Sequence, residues 1–261
     1  MLSNLSKPKV SWLLCTNKDN EMLHRAIRSC LSQTLADFEL LLLVNGPNCL
    51  AILSDLELKY AQETKVRVVA TPIYLLNFSL SLGLHLARAP YVARMDADDV
   101  AAPNRLEQQW AYMESHPKVA VLGTSYHLID SADRIHGHVS CPTSNHEIRR
   151  SLFYRNPICH PSVMLRREVI LAQGGYLGGQ NAEDFDLWLR ICLDDDLHFA
   201  NLPEYLLSYN MDPGGAARRS RRAYANVAAA QCRNLLVTRD VRWLLGALLT
   251  TAKSLLRSNQ A

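Results

Sequence analysis

The sequence predicts an α/β fold, in which a doubly wound, mostly parallel sheet is followed by a C-terminal helical extension. The first observation is a set of short apolar runs that are nearly continuous rather than alternating, which is typical of strands buried on both faces. The second is the alternation of these runs with helical segments at the spacing of parallel βαβ units. The predicted strands are Val10–Cys15, Phe38–Val44, Val66–Ala70 and Tyr91–Met95, and the predicted helices lie at about 21–32, 50–62 and 77–88.

The pattern changes after residue 103. A helix is predicted at 104–115 and a strand at 119–126, followed by a hairpin around 130–137. Less regular sequence continues to Gly179, and the glycine pairs on either side of Tyr176 indicate a loop with hinges. The acidic cluster EDFD at 183–186 then begins a helix, in which we expect Phe185 and Trp188 to belong to the apolar core.

The composition is that of a globular protein. The chain has 261 residues, 48% of them hydrophobic and 20% charged, which suits one large domain with an appendage. The apolar stretch near the N-terminus is too short for a signal-peptide core, and no window is long enough for a membrane-spanning helix. The seven cysteines are odd in number and scattered, as expected of reduced thiols. These features predict a cytoplasmic protein.

Polar residues follow three of the predicted strands. Thr16 and Asn17 follow the first, Asn45 and Gly46 the second, and the acidic segment DADD at 96–99 the fourth. Ligands of such sheets bind beyond the carboxyl ends of the strands, so these ends predict a cleft of nucleotide size. The alternative is that Asn, Gly and Asp only form turns here.

The three carboxylates at positions 96, 98 and 99 repel one another, which favours a bound cation. Ligands that are all oxygen select Mg²⁺ or Mn²⁺ rather than zinc, and two carboxylates with substrate phosphates form a usual Mg²⁺ site. An acidic N-cap of the following helix, made by Asp98 or Asp99, explains the same residues without a metal.

A series of motifs runs in order from about residue 9 to 210. The motifs are VSWLLCTN at 10–17, Ala26-Ile27 through SQT at 32–34 and FEL at 38–40, YVARMDADD at 91–99 with Pro103 and Arg105-Leu106, HPSVM at 160–164, GGY at 174–176 and AEDFDLW at 182–188. In this order and at this spacing, the motifs resemble those of the family 2 glycosyltransferases. The resemblance implies the nucleotide-binding α/β fold called GT-A. It also implies a nucleotide-binding half at about 1–100 and an acceptor-side half at about 101–212.

The resemblance also implies roles for individual residues. Asp96 and Asp98 would form the DxD motif, with Asp98 on a Mn²⁺ or Mg²⁺ ion and Asp96 on the ribose or the metal. Thr16 and Asn45 would contact the base, and Asp184 would be the catalytic base. His160 and Glu183 would lie on the acceptor side.

Two segments depart from the family's pattern. Val44 and Asn45 occupy positions where many members carry two acids, so base or ribose recognition is expected to differ. The segment YNMD, ending at Asp212, replaces a Tyr-Arg-x-His segment whose histidine completes the metal site in many members. Asp212 is therefore a candidate third metal ligand, and an Asx-turn before Pro213 is the alternative.

The expected reaction is an inverting, metal-assisted single displacement from a nucleotide-sugar, most simply a UDP-sugar, to a glycan or lipid-linked acceptor. Asp184 has a structural alternative, because Asn181-x-x-Asp184 has the spacing of a capping box. A non-catalytic nucleotide-sugar-binding module and a sugar-nucleotide-synthesising enzyme are the competing functions. The loop after the first strand lacks the glycine-rich sequence expected of a sugar-nucleotide-synthesising enzyme. A non-catalytic binding module would not require both acidic clusters, and this chain has both.

Charge separates the last part of the chain. Residues 213–261 carry nine Lys or Arg and one acid, whereas residues 1–212 carry 19 basic and 24 acidic side chains. We therefore expect a transferase domain at 1–212 and a basic helical tail at 213–261. The tail lacks the regularly interleaved aromatic residues of nucleic-acid-binding segments, so no nucleic-acid partner is expected.

The tail predicts two helices, at about 217–237 and 240–257. Trp243 and several leucines give the second helix apolar surface beside Arg242 and Lys253, so it could lie in an anionic membrane surface with Trp243 at the headgroups. Arg218, Arg219, Arg221 and Arg222 would then lie near lipid headgroups. This would place the protein at the inner face of the cell membrane. The alternative is that the apolar faces pack on the domain or on a second subunit.

Overall fold

A computed structural model gives the fold and describes residues 7–179, 181–211 and 220–256. The strands are β1 Val10–Thr16, β2 Phe38–Asn45, β3 Val66–Thr71, β4 Tyr91–Asp96, β5 Val100–Ala101, β6 Val119–Ile129, β7 Ile135–Val139, β8 Met164–Arg166 and β9 His198–Asn210. The helices are α1 Glu21–Leu31, α2 Cys49–Lys59, α3 Leu76–Leu86, α4 Arg105–Ser115, α5 Asn145–Leu152, α6 Arg167–Ala172, α7 Glu183–Ile191, α8 Arg221–Thr238 and α9 Arg242–Leu256. A 3₁₀ turn spans His160–Ser162.

The strands form one sheet in the order β3-β2-β1-β4-β8-β6-β9-β5, and β7 pairs with β6. The first four strands are parallel to one another, and β9 is parallel to β6. The short strand β8 is antiparallel to both β4 and β6 and joins the two parallel regions. Most paired residues lie in parallel pairs, which confirms the predicted fold class.

The sheet has a core on each face, as the near-continuous apolar strands predicted. In β2 all eight residues are buried. Leu40 and Leu42 pack with Ile27 of α1 in one hydrophobic cluster, whereas Leu41 and Leu43 pack with α3 in the other. Successive side chains of a strand point to opposite faces, so both faces need helices to exclude water. Phe185 and Trp188 of α7 are fully buried, as predicted.

Sequence reasoning missed α5, β8 and α6 in the region expected to be irregular, and β9 beyond it. Helix α5 begins after its N-cap Ser144, whose hydroxyl accepts the Glu147 backbone N–H at 3.3 Å and donates to the Glu147 carboxylate at 2.8 Å. Strand β9 contains Pro203 and Glu204 and pairs with β6 through register shifts, which obscures its period-two pattern.

The described part of the tail packs on the domain through α8 and α9, close to their predicted bounds. Asn234 donates to the carbonyl of Leu189 at 2.8 Å, and Gln231 donates to the carbonyl of Phe153 at 2.9 Å. Trp243 is 3% exposed and its ring centroid lies 4.1 Å from that of Phe153. The expectation that Trp243 faces the headgroups is therefore wrong, because the indole fills the interface between α9 and the domain.

The other face of α9 is apolar and exposed. Leu244, Leu245, Leu248 and Leu249 are each between 43% and 58% exposed. Within residues 7–179, 181–211 and 220–256, no helix combines the length and hydropathy that a membrane span requires.

Candidate active site

A cleft of about 390 Å³ lies at the carboxyl ends of β1, β2 and β3. Its wall includes Thr16 at the end of β1, Asn45 at the end of β2, and the segment 74–77 that follows β3. Glu183, the first residue of α7, closes another side. This volume lies within the range of small-molecule sites. Two of the three strand ends predicted to converge, at Thr16 and Asn45, therefore line one cleft, whereas the acidic segment 96–99 is not part of its wall.

Hydrogen bonds hold the two residues predicted to contact a base. The Thr16 hydroxyl donates to the carbonyl of Lys18 at 2.6 Å and accepts its N–H at 3.1 Å, which closes a tight turn after β1. The Asn45 side-chain amide donates to the Ser79 hydroxyl at 2.9 Å, and both residues are buried. Gly46 has φ +100°, a conformation that allows the chain to turn directly behind Asn45.

Tyr74 and Asn77 are cleft residues that sequence reasoning missed. Tyr74 is 61% exposed on the cleft wall, and its hydroxyl accepts a hydrogen bond from the Asn17 amide. Asn77 donates to the carbonyl of Gly178 at 3.0 Å, which ties the glycine-rich loop to α3. Asn45 was predicted as a cleft residue because it lies at the end of a parallel strand, and the same reasoning applies to the residues that follow β3. The sequence therefore contained enough to predict Tyr74 and Asn77 as cleft residues.

The acidic cluster follows β4, beside the cleft. Asp96 is the register partner of Cys15, which lines the cleft. The buried Arg94 guanidinium forms a bidentate pair with the Asp96 carboxylate. Burial, together with the charge of Asp96, raises the pKa of Asp98. The positive charge of Arg94 therefore offsets only part of the negative charge of the carboxylates that follow β4.

Asp99 is the interior member of the cluster. Its side chain is fully buried, and one carboxylate oxygen accepts the Asn210 backbone N–H at 2.9 Å. The other oxygen has no hydrogen-bond partner among the described residues. Burial, and the charge of Asp96 after it, raises the pKa of Asp99 well above its usual range. Asp99 thus joins the end of β9 to the acidic cluster. It is not the N-cap of the following helix, because the N-cap of α4 is Asn104.

The oxygen-rich donor set fits a hard cation that a ligand helps to hold. Asp96 and Asp98 offer carboxylates that are partly exposed, and Asn210 lies 3.5 Å from Asp98 through its side-chain amide. Among the described residues, no three acidic, histidine or cysteine side chains form a ready-made metal site. Mg²⁺ commonly binds one or two carboxylates plus substrate phosphates, so two carboxylates suffice for that arrangement. Asp212 lies outside the described residues.

Asp184 lies in the first turn of α7 and is partly buried. Its carboxylate accepts a hydrogen bond of 2.7 Å from the Asn156 side-chain amide. The N-cap of α7 is Ala182, and Asn181 precedes it with φ +61°. The alternative capping box with Asn181 as N-cap is therefore absent.

Asn156 was not predicted from the sequence. Its side-chain oxygen accepts the Ile158 backbone N–H at 3.1 Å, which leaves the amide nitrogen to donate to Asp184. Both bonds are satisfied only in this orientation of the amide. No sequence signal links positions 156 and 184, because the two segments meet only in the fold.

His160 lies in the interior, and Glu183 lies on the cleft wall. The His160 ring is 9% exposed and its Nε2 atom is 3.0 Å from the Tyr176 hydroxyl. Burial, reinforced by the charge of Arg94, lowers the pKa of His160 well below its usual value, so the ring is neutral. Burial raises the pKa of Glu183. Glu183 shares its cavity with Thr16 and Asn45.

Comparison with known sequences gives a consistent result. The family model described as Glycosyl transferase family 2 matches residues 11–175. The chain is 32% identical over 249 residues to the O-antigen biosynthesis glycosyltransferase WbnJ of Escherichia coli, covering 95% of this chain and 97% of the relative. It is 33% identical over 196 residues to the amylovoran biosynthesis glycosyltransferase AmsE of Erwinia amylovora, covering 73% and 71% respectively.

Comparison with solved structures supports the fold. TarS of S. aureus, residues 1–349 in complex with UDP-GlcNAc, aligns with a TM-score of 0.67 at 14% identity. The alignment covers 87% of this chain and 66% of that chain. The same TarS segment in complex with UDP aligns with a TM-score of 0.60 at 15% identity, covering 85% and 65%. At these identities the likeness establishes the GT-A fold alone.

Proposed function

The chain belongs to glycosyltransferase family 2, and from this premise we propose that it transfers a sugar from a UDP-sugar to a hydroxyl of a glycan or lipid-linked acceptor. The proposed setting is synthesis of a surface polysaccharide, supported by the names of the O-antigen and amylovoran relatives. The nucleotide is proposed from the UDP and UDP-GlcNAc complexes of TarS. The observation that carries the proposal is the cleft at the strand ends, with the Glu183 carboxylate of α7 in its wall and Asp96 of β4 paired in register with Cys15, which lines it.

The proposed reaction is a single displacement at the anomeric carbon. The acceptor oxygen attacks this carbon while the bond between the carbon and the diphosphate oxygen breaks. The acceptor hydroxyl proton passes to the carboxylate of Asp184, and the nucleoside diphosphate leaves with the bonding electrons. One displacement inverts the anomeric configuration, by the same geometric logic as in inverting glycosidases. Proton transfer to a positioned carboxylate contributes about 10²–10⁴-fold to such reactions.

Asp96 and Asp98 would hold a Mg²⁺ or Mn²⁺ ion, with Asp212 as a third candidate ligand. Such an ion supplies Lewis-acid stabilisation of the charge that develops on the departing diphosphate. Arg94 holds the Asp96 carboxylate from the protein side. Thr16 and Asn45 would bind the base side of the donor, and His160 and Glu183 are proposed to shape the acceptor side.

A donor screen tests the proposed function. Nucleotide release would be measured from UDP-, GDP- and dTDP-sugars, with Mn²⁺ and with EDTA. We expect metal-dependent release from a UDP-sugar, because water can replace the acceptor slowly in such enzymes. Binding of UDP without any release in the presence of candidate acceptors would favour a non-catalytic binding module. Synthesis of a sugar nucleotide from a sugar phosphate would assign the chain to the other enzyme class.

Asp98→Ala tests the metal site directly. We expect calorimetric binding of UDP to lose its dependence on Mn²⁺, because the proposed main ligand is removed. The matched control is Asp196→Ala, which removes an acid that is 88% exposed at a distant surface. The metal proposal fails if wild-type UDP binding is the same in EDTA, or if both variants behave alike.

The inner face of the cell membrane is the proposed location, with the tail as its peripheral attachment. Support comes from the exposed leucines of α9 and from the excess of basic residues after position 212. Apolar area buried in the interface and attraction to anionic lipids act together in such attachments.

A further inference from the structure

A second cavity, of about 240 Å³, lies where the tail meets the domain. The segment 154–156 forms one wall, and Phe185 of α7 forms another. Tyr224 and Val227 of α8 and Thr250 and Lys253 of α9 complete the lining. The tail helices therefore build this cavity together with the domain.

The lining is basic. Arg155 and Lys253 are both exposed, and none of the residues that line the cavity is acidic. Within the described ranges, neither side chain forms a salt bridge. A guanidinium and an ammonium group with adjacent hydroxyls are the groups that bind phosphate oxygens in proteins. The Tyr154 and Tyr224 side chains supply aromatic surface and hydroxyls at the same place.

The cavity is connected to the proposed catalytic base through one side chain. Asn156 lines the cavity and donates to Asp184 at 2.7 Å. Asn156 is therefore the side chain that this cavity shares with the proposed catalytic base. Lys253 also belongs to the helix whose outer face exposes Leu245, Leu248 and Leu249.

We propose that this cavity is the acceptor subsite for a phosphate or diphosphate group, held by Arg155 and Lys253 while the acceptor hydroxyl reaches Asp184. The acceptor is thus a sugar that carries a phosphate group. If this group belongs to a lipid diphosphate, the lipid chain lies beside the exposed apolar face of α9. The inference rests on the proposed function, because it assigns the acceptor of the same reaction.

Calorimetric binding of geranyl diphosphate to the full chain tests this subsite. Saturating UDP and Mg²⁺ are present so that the donor site is occupied. We expect Arg155→Gln and Lys253→Gln each to weaken binding by about 10-fold, the usual order for a lost hydrogen bond between charged groups. The matched control is Arg88→Gln, at the amino end of β4 and 65% exposed, which should bind like wild type.

Two further probes identify the source of the phosphate. Inorganic pyrophosphate that binds as tightly as geranyl diphosphate, with the same sensitivity to Arg155→Gln, would show that the phosphate alone is recognised. Tighter binding of the prenyl compound would assign a lipid-linked acceptor. Equal binding of geraniol and geranyl diphosphate, or wild-type affinity in both cavity variants, would overturn the subsite. Failure of wild type to bind UDP would instead count against the proposed donor, since UDP binding is measured separately.

Discussion

At the scale of single residues, Asn156 holds the Asp184 carboxylate by a hydrogen bond. The Ile158 backbone N–H fixes the Asn156 amide, and the amide then donates to the carboxylate at 2.7 Å. Asp184→Asn keeps the size of the side chain and removes its basicity. We expect turnover to fall by about 10²-fold or more with UDP affinity unchanged, in the range of proton-transfer groups. Wild-type turnover in this variant would exclude a catalytic base.

Asn156→Ala should act through Asp184. Loss of a hydrogen bond to a charged group costs about 1.5–3 kcal/mol, so we expect kcat to fall about 10-fold while UDP affinity is kept. The double variant with Asp184→Asn should be no slower than Asp184→Asn alone, because residues that act as one unit are not additive. Fully additive losses in this cycle would show that Asn156 has a separate, structural effect.

The sequence predicted residues whose signal is local. Asp96, Asp98 and Thr16 follow apolar strands, so these positions can be found from their neighbours, whereas Asp184 was singled out by the family resemblance. Asn156 has no such signal, because its role depends on a contact 28 positions away. The inward orientation of Trp243 also depends on a distant partner, Phe153, which no periodicity within α9 identifies.

At the scale of elements, α9 packs closely because Gly246 lacks a side chain. A Cβ atom there would lie 2.0 Å from the Phe153 carbonyl oxygen, which already accepts from Gln231. Gly246→Ala gains about 1 kcal/mol of helix propensity. We expect overpacking, which costs about 1–3 kcal/mol, to outweigh this gain because the clash is with backbone.

The measurement is thermal unfolding with hydrogen exchange along α9. Gly246→Ala should lower Tm and increase exchange in α9, with UDP binding unchanged because the donor cleft is remote from this contact. Ala252→Ser, at an exposed position of the same helix, is the control. A higher Tm in Gly246→Ala would mean that α9 does not dock as closely as the structure shows.

Elements with a strong internal period were predicted well, and elements that depend on pairing were not. Helix α1 was expected at about 21–32 and spans Glu21–Leu31, because its apolar residues recur at helical spacing. Strand β9 was missed, although its end brings Asn210 to Asp98 and Asp99. The register of β9 is set by its pairing with β6 and β5, and the residues of β9 alone do not predict these partners.

At the scale of the whole molecule, α9 has one face packed on the rest of the chain and one exposed apolar face. One face of α9 is joined to the domain by Trp243, and the Thr250 hydroxyl donates to Gln231 at 2.8 Å. Deleting the tail would therefore expose the domain surface that these residues cover. Point variants on the outer face of α9 test membrane attachment without disturbing the packed face.

We expect the full chain to float with anionic vesicles at low salt. The triple variant Leu245→Ser, Leu248→Ser and Leu249→Ser should remain at the bottom of the gradient. Each full leucine burial is worth about 1.5–3 kcal/mol, and even partial insertion of three leucines would change the partition by orders of magnitude. The control replaces Leu50 and Leu58 of α2, which are 70% and 82% exposed, with serine. If the control loses flotation to the same extent, or wild type does not float, α9 is not the membrane-binding surface.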